Sequence, residues 1–255
     1  MTRTSASLRV ILAGSISASA ASAQVIDFES VPFAIDDMKI TNQYKQSHGV
    51  VFGIDNNHDL IADRAGSPRL ERVGPGPSNM DGFWSSWNGT FDGGRTDRPE
   101  RLGDWFLRTN VTGAAVTPNS LLIEYTSGGT YGASGQIWDI DGIGGIQHER
   151  WAITAFDSSG GVLASVYSPW GYTSNATNIY ESGAFTWSFN LSPNGPAIDK
   201  IRIDFIGQLN GNGRAGLAFD NFWARGVPTP GAASMVLAGS LLTGRRRRSH
   251  ADRAA

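Results

Sequence analysis

Cysteine is absent from the 255 residues, so no disulfide staples the fold and no thiolate can act as nucleophile or metal ligand. Lysine is almost absent as well. With the two charged ends set aside, the remaining chain is acidic, which argues against nucleic acid as a partner. The apolar run near the end, Ala232 to Leu242, is shorter than the roughly 20 residues that span a bilayer comfortably. His48, His58, His148 and His250 show no His-x-x-x-His zinc spacing. Gly132-Ala133-Ser134-Gly135 falls short of the Gly-x-Ser-x-Gly nucleophile elbow, and no Gly-x-x-x-x-Gly-Lys phosphate loop occurs. What these absences leave open for catalysis is a pair of acids for glycoside hydrolysis, with Asp139, Asp141 and Glu149 as first suspects. The expectation is a protein that is not an enzyme.

Glycine is abundant, at 32 residues, and aromatics make up 10% of the chain, a composition suited to short strands joined by tight turns. Strand patterns run through 25–28, 50–54, 105–107, 120–125, 136–140, 151–156, 162–167, 185–189, 198–205 and 216–223. Ile201-Arg202-Ile203-Asp204-Phe205 alternates cleanly, as a half-buried strand does. Asp157-Ser158-Ser159-Gly160-Gly161 and Asn210-Gly211-Asn212-Gly213 read as hairpin turns, and 62–104 reads as a long loop. Strands at this spacing predict an all-β fold, an antiparallel β-sandwich of the jelly-roll type.

Both ends carry addresses. Arg3 and Arg9, the apolar small-residue stretch Val10 to Ala20, and Ala21-Ser22-Ala23 form a signal peptide over residues 1–23. At the other end, Val227-Pro228-Thr229-Pro230-Gly231 stops the preceding structure. A short hydrophobic helix follows, and then Arg245-Arg246-Arg247-Arg248 as a positive-inside stop. Residues 227–255 resemble the PEP-CTERM sorting signal of exported bacterial proteins, with Thr229 where that signal has Glu. The resemblance implies a temporary membrane tether through this segment, a sorting or processing protease as partner, and a place in the bacterial cell envelope or outside it. The sandwich then occupies residues 24–226.

Within the sandwich, several short motifs go together: Asp27-Phe28-Glu29, Ile40 to Tyr44 with Gly49 to Phe52, Trp138 to Gly142 with Glu149-Arg150-Trp151, and Ala218 to Phe222. They resemble exported bacterial lectin-like domains similar to carbohydrate-binding modules. That resemblance implies that the first and last strands lie together and often hold a calcium ion. Calcium takes six to eight oxygen ligands, so Asp27, Glu29, Asp220 and Asn221 are candidates at that seam. Asp139, Asp141 and Glu149 form a second candidate set, since alternating acids before a glycine resemble the opening of a calcium loop.

Sugars stack on exposed aromatics while amides and acids bind their hydroxyls. Trp84, Trp87, Asn88 and Asp92 supply that mixture in the long loop, as do Trp170 and Tyr172 further on. The expected function is calcium-assisted binding of polysaccharide by an exported, surface-tethered protein. A structural matrix protein making protein–protein contacts and an extracellular glycan hydrolase are the rivals.

Overall fold

The computed structural model describes residues 25–64, 66–72, 103–109, 118–138, 140, 148–171, 184–208 and 218–225. The signal peptide, the sorting segment with its expected helix, and the 73–102 part of the long loop lie outside the described residues. Among the described residues no helix is long and apolar enough to cross a membrane.

The regular secondary structure of the described residues is almost entirely strand. Its elements are β1 (Val25–Ile26), a single helical turn α1 (Lys45–His48), β2 (Val50–Ile54), β3 (Arg69–Arg72), β4 (Trp105–Arg108) and β5 (Leu121–Tyr125). There follow β6 (Gly132–Trp138), β7 (Trp151–Phe156), β8 (Val162–Tyr167), β9 (Ala184–Asn190), β10 (Lys200–Phe205) and β11 (Ala218–Arg225). All pairings are antiparallel. One sheet runs β3-β4-β11-β6-β9, with β1 paired to the second half of β11, and the other runs β2-β5-β10-β7-β8. The two sheets face each other across one aromatic-rich core, forming a β-sandwich. Trp151 of one meets Phe219 of the other at 5.9 Å between ring centroids, and Phe52 meets Phe222 at 5.2 Å.

Alternation sets which residues enter that core. In the central strand β10, Ile201 and Ile203 are fully buried, while Arg202 and Asp204 share the other face and pair at 2.9 Å. In β11 the alternation is broken by a bulge between Asp220 and Trp223. Asn221 sits there in the left-handed region (φ 52°), a conformation Asn tolerates better than most residues. The extra residue lets Phe219 and Phe222, three positions apart, both enter the core. Gly135 of β6 has to be glycine. A Cβ there would sit 2.6 Å from the Trp187 ring and 2.8 Å from the Phe222 ring.

The expected turn at Asp157–Gly161 closes the β7–β8 hairpin. The Asp157 carboxylate accepts from the Ser159 and Gly161 backbone N–H groups at 2.8 Å each. These bonds, led by the Ser159 hydroxyl, hold its carboxyl below the usual Asp range. The expected turn at 210–213 lies outside the described residues; β10 and β11, which flank it in sequence, belong to different sheets. One expectation is corrected. The stretch 62–104 contains β3, whose charged sequence conceals a strand. Leu70 is fully buried, and Glu71 pairs at 2.6 Å with the buried Arg108 of β4, which also reaches Asp37.

Candidate functional site

Two places bring chemically capable side chains together. The first is the seam where the first and last described strands, β1 and β11, meet. Val25 pairs with Trp223 and Ile26 with Phe222, so Asp27, Glu29 and Asp220 are neighbours. Phe28 (φ 60°) turns the chain sharply, and the Glu29 N–H donates to Asp27 Oδ1 at 3.2 Å. Glu29 reaches across to accept the Trp105 N–H at 3.0 Å. Asp220 is only 1% exposed. Its Oδ2 accepts from Asn221 Nδ2 at 3.1 Å, whereas Oδ1 has no hydrogen-bond partner among the described residues. Burial drives its carboxyl up to about 8, the neighbouring Asp27 and Glu29 charges push the same way, and the Asn221 backbone N–H opposes them. The buried Tyr44 hydroxyl faces the same carboxylates. Desolvation raises it well above the ordinary phenol range, against a weaker downward pull from Ser30. His48, edge-on to Tyr44 at 5.3 Å, is lowered by burial.

The seam thus holds an uncompensated buried carboxylate, the kind of group a cation would satisfy. The surrounding donors fit only in part. Asn221 directs its Nδ2 at both Asp220 and Gln136 Oε1 (2.8 Å), so it presents a donor to Asp220. Among the described residues no three Asp, Glu or His side chains converge as a metal-holding group.

The second place is the end of the five-stranded sheet, where 148–150, 168–171 and 206–208 run together. His148 and Gln208 exchange backbone hydrogen bonds at 2.8–2.9 Å, and the Ile206 N–H donates to Arg150 O at 2.8 Å. Gly207 permits this approach, since a Cβ there would meet His148 O at 2.4 Å. On the other side, Gly171 N–H donates to Glu149 O and Ser168 N–H to Trp151 O, each at 2.9 Å. The Ser168 hydroxyl accepts the Trp151 N–H at 2.9 Å. This lacing presents Trp170 (39% exposed), Tyr167 (53% exposed) and Ile206 to solvent around Arg150. The Arg150 guanidinium lies over both rings, 4.8 Å from the centroid of Trp170 and 5.3 Å from that of Tyr167. His148 meets Trp170 edge-on at 6.3 Å. The arrangement offers apolar ring surface and planar donors side by side.

Of the expected site residues, Trp84, Trp87, Asn88, Asp92, Tyr172, Asp139 and Asp141 lie outside the described residues. The structure brings Asp27, Glu29, Asp220 and Asn221 to one seam and places Trp170 on the aromatic end. Glu149 is buried beneath that end. Sequence reasoning missed Arg150, Tyr167 and Ile206 as parts of one surface, because only the pairing of three separate segments unites them. It also missed the loop Asp55-x-Asn57-x-Asp59-x-x-x-Asp63, whose spaced acids were visible. That loop is satisfied internally: Asp55 accepts the Asp59 and Leu60 N–H groups at 3.1 Å each, and Asp63 accepts that of Asn56 at 2.9 Å.

No family model matches the chain, and neither does any curated protein. Among solved structures, it is similar to a DUF4465 family protein from Bacteroides caccae, at 11% identity and a TM-score of 0.43, covering 80% of this chain and 99% of that one. It is also similar to a cyclase from Fischerella sp. TAU solved with 4-(1H-indol-3-yl)butan-2-one, at 16% identity and a TM-score of 0.35, covering 78% and 92%. An apo-form cyclase from Fischerella sp. gives 18% identity and 0.35, covering 82% and 100%. Likenesses this distant bear on neither activity nor ligand.

Proposed function

We propose that this chain is an exported, surface-tethered, non-catalytic protein that binds polysaccharide at the Trp170 end, on a sandwich of jelly-roll type. The observation that carries the reading is the exposed Trp170 and Tyr167 pair, both held against the Arg150 guanidinium. Apolar faces with a polar rim, held in place before the ligand arrives, are what a sugar ring requires. The jelly-roll reading is supported by the strand order, in which β10 lies between β5 and β7 while β11 lies between β4 and β6. Export and tethering rest on the two terminal signals of the sequence. We also propose a calcium ion at the seam, with Asp220 Oδ1 as its buried ligand and the nearby Asp27 and Glu29 as the carboxylates that would have to swing in to complete its shell. Support for this comes from the orphaned carboxylate oxygen.

One observation favours a matrix protein that makes protein contacts. Strand β8, Val162-Leu163-Ala164-Ser165-Val166-Tyr167, contains no charge, and among the described residues no backbone hydrogen bond covers its outer edge. By contrast, Thr41 O and the Asp63 N–H bond the outer edge of β2. Retention of the purified full chain on immobilised polysaccharides separates the readings. Trp170→Ala is expected to weaken retention about tenfold, the order of one lost ring contact, without changing the unfolding temperature. A folded protein retained on no glycan would leave the matrix reading standing instead.

A further inference from the structure

Among the described arginines, Arg69, Arg108 and Arg202 lie within 4.0 Å of carboxylates. Arg64, Arg72 and Arg150 pair with no acid among the described residues, and of these three only Arg150 lies over aromatic rings. Its Nε donates to the Ser168 backbone oxygen at 3.3 Å, and its guanidinium carbon lies over the Trp170 and Tyr167 rings. Ring contacts of this kind use no N–H, so the Nη donors remain for a ligand. Those donors match a carboxylate in a two-point fork. The guanidinium is also immobilised by two rings and a carbonyl, which lowers the entropy cost of forming such a fork. An arginine held ready in this way, beside exposed ring surface on an otherwise acidic domain, is suited to a ligand that is at once sugar and acid.

We infer that the Trp170 site takes an acidic polysaccharide, with a uronate ring against Trp170 or Tyr167 and its carboxylate on the Nη edge of Arg150. This rests on the glycan-binding reading and names the sugar class that such a site selects. A neutral sugar would leave the Nη donors to water. A sulfate ester can set two of its tetrahedral oxygens on the same fork and is the rival acid. A uronate carries its carboxylate directly on the ring, so ring contact and fork are met together by one sugar unit.

The test compares retention of the full chain on polygalacturonate, on the same polymer methyl-esterified, on a neutral glucan and on dextran sulfate, at low and at physiological salt. Binding to polygalacturonate at least about tenfold tighter than to its ester is expected. Arg150→Lys, which keeps the charge but not the fork, and Arg150→Gln should both lose that preference, with unfolding temperatures near wild type. If Arg150→Gln fails to fold, the comparison of acid and ester on the wild-type protein decides alone. Equal retention on acid and ester, or tighter binding to dextran sulfate than to polygalacturonate, would overturn the inference. Retention on neutral glucan alone would overturn it while sparing the glycan-binding reading. A folded protein retained on none of the polymers would end both.

Discussion

Replacing Asp220 with Asn removes one titrating group and keeps its shape, so it isolates what the buried carboxyl contributes. The folded protein lifts this carboxyl from an ordinary 3.8 to about 8. At about 1.4 kcal/mol per unit, the rise caps the effect at about 6 kcal/mol, and water entering the seam on ionisation will lower it. The sign follows from proton binding. Between about pH 4 and pH 8 the folded state holds the proton more tightly than the unfolded chain does, so stability falls as pH rises through this window. The contribution is complete below the unfolded pKa and gone above the folded one. His48 slopes the other way, because burial lowers its folded pKa and stability there rises with pH. Tyr44, raised by burial, stays neutral throughout. Comparing wild type with Asp220→Asn cancels the terms that both proteins share. Urea unfolding of both, at intervals from pH 5 to pH 9, measures the difference. With a chelator present, wild type should lose stability relative to the variant by up to about 1.4 kcal/mol per pH unit. With calcium, which binds the ionised form, wild type should regain it at the alkaline end while the variant does not respond. Parallel curves in chelator would refute the buried, proton-holding carboxyl, and calcium-independent wild-type curves would refute the proposed ion.

The other expectations concern the frame that holds the two sites. Gly135→Ala places a methyl against the Trp187 and Phe222 rings, and overpacking of this kind should cost about 1–3 kcal/mol in denaturant unfolding. Glu71→Leu removes the 2.6 Å ion pair from the buried Arg108 guanidinium, which keeps its contact with the half-exposed Asp37, and should cost about 3–5 kcal/mol. A loss below about 1 kcal/mol would mean that water replaces the missing carboxylate.

How much could be read from the chain depended on whether a feature was local. β2, β7 and β8 were legible to the residue, because each is an uninterrupted apolar or alternating run bounded by turn residues. β3 was not, since Arg69, Glu71 and Arg72 read as loop. Its strand character comes from Leu70 and from an ion pair with Arg108, which lies far along the chain. β6 begins four residues earlier than its pattern, at Gly132, because Gly135 belongs to the strand as a gap for two rings from other strands. At the sites the same division holds. The acids of the seam could be named from sequence, but the bulge at Asn221, and with it the burial of Asp220, arises only once β11 is paired. Trp170 could be named as well. Arg150 could not be singled out, because its significance lies in the two rings it lies over and in the acid it lacks.

The two sites share a physical connection that bears on how calcium would assist binding. Arg150 precedes Trp151, and Asp220 follows Phe219, and those two rings meet at 5.9 Å in the core. Seam and aromatic end are therefore linked across the core, through facing strands β7 and β11 of the two sheets, although no side chain serves both. A packed core transmits little displacement and much stability. An ion at Asp220 acts chiefly on the fraction of molecules in which β11 is docked, and only through that fraction on the surface around Arg150. Calcium assistance of glycan binding then has a distinct form. It grows as the protein approaches its unfolding transition and fades where the sandwich is already fully populated, whereas a calcium ion bridging protein and sugar would be needed at every temperature.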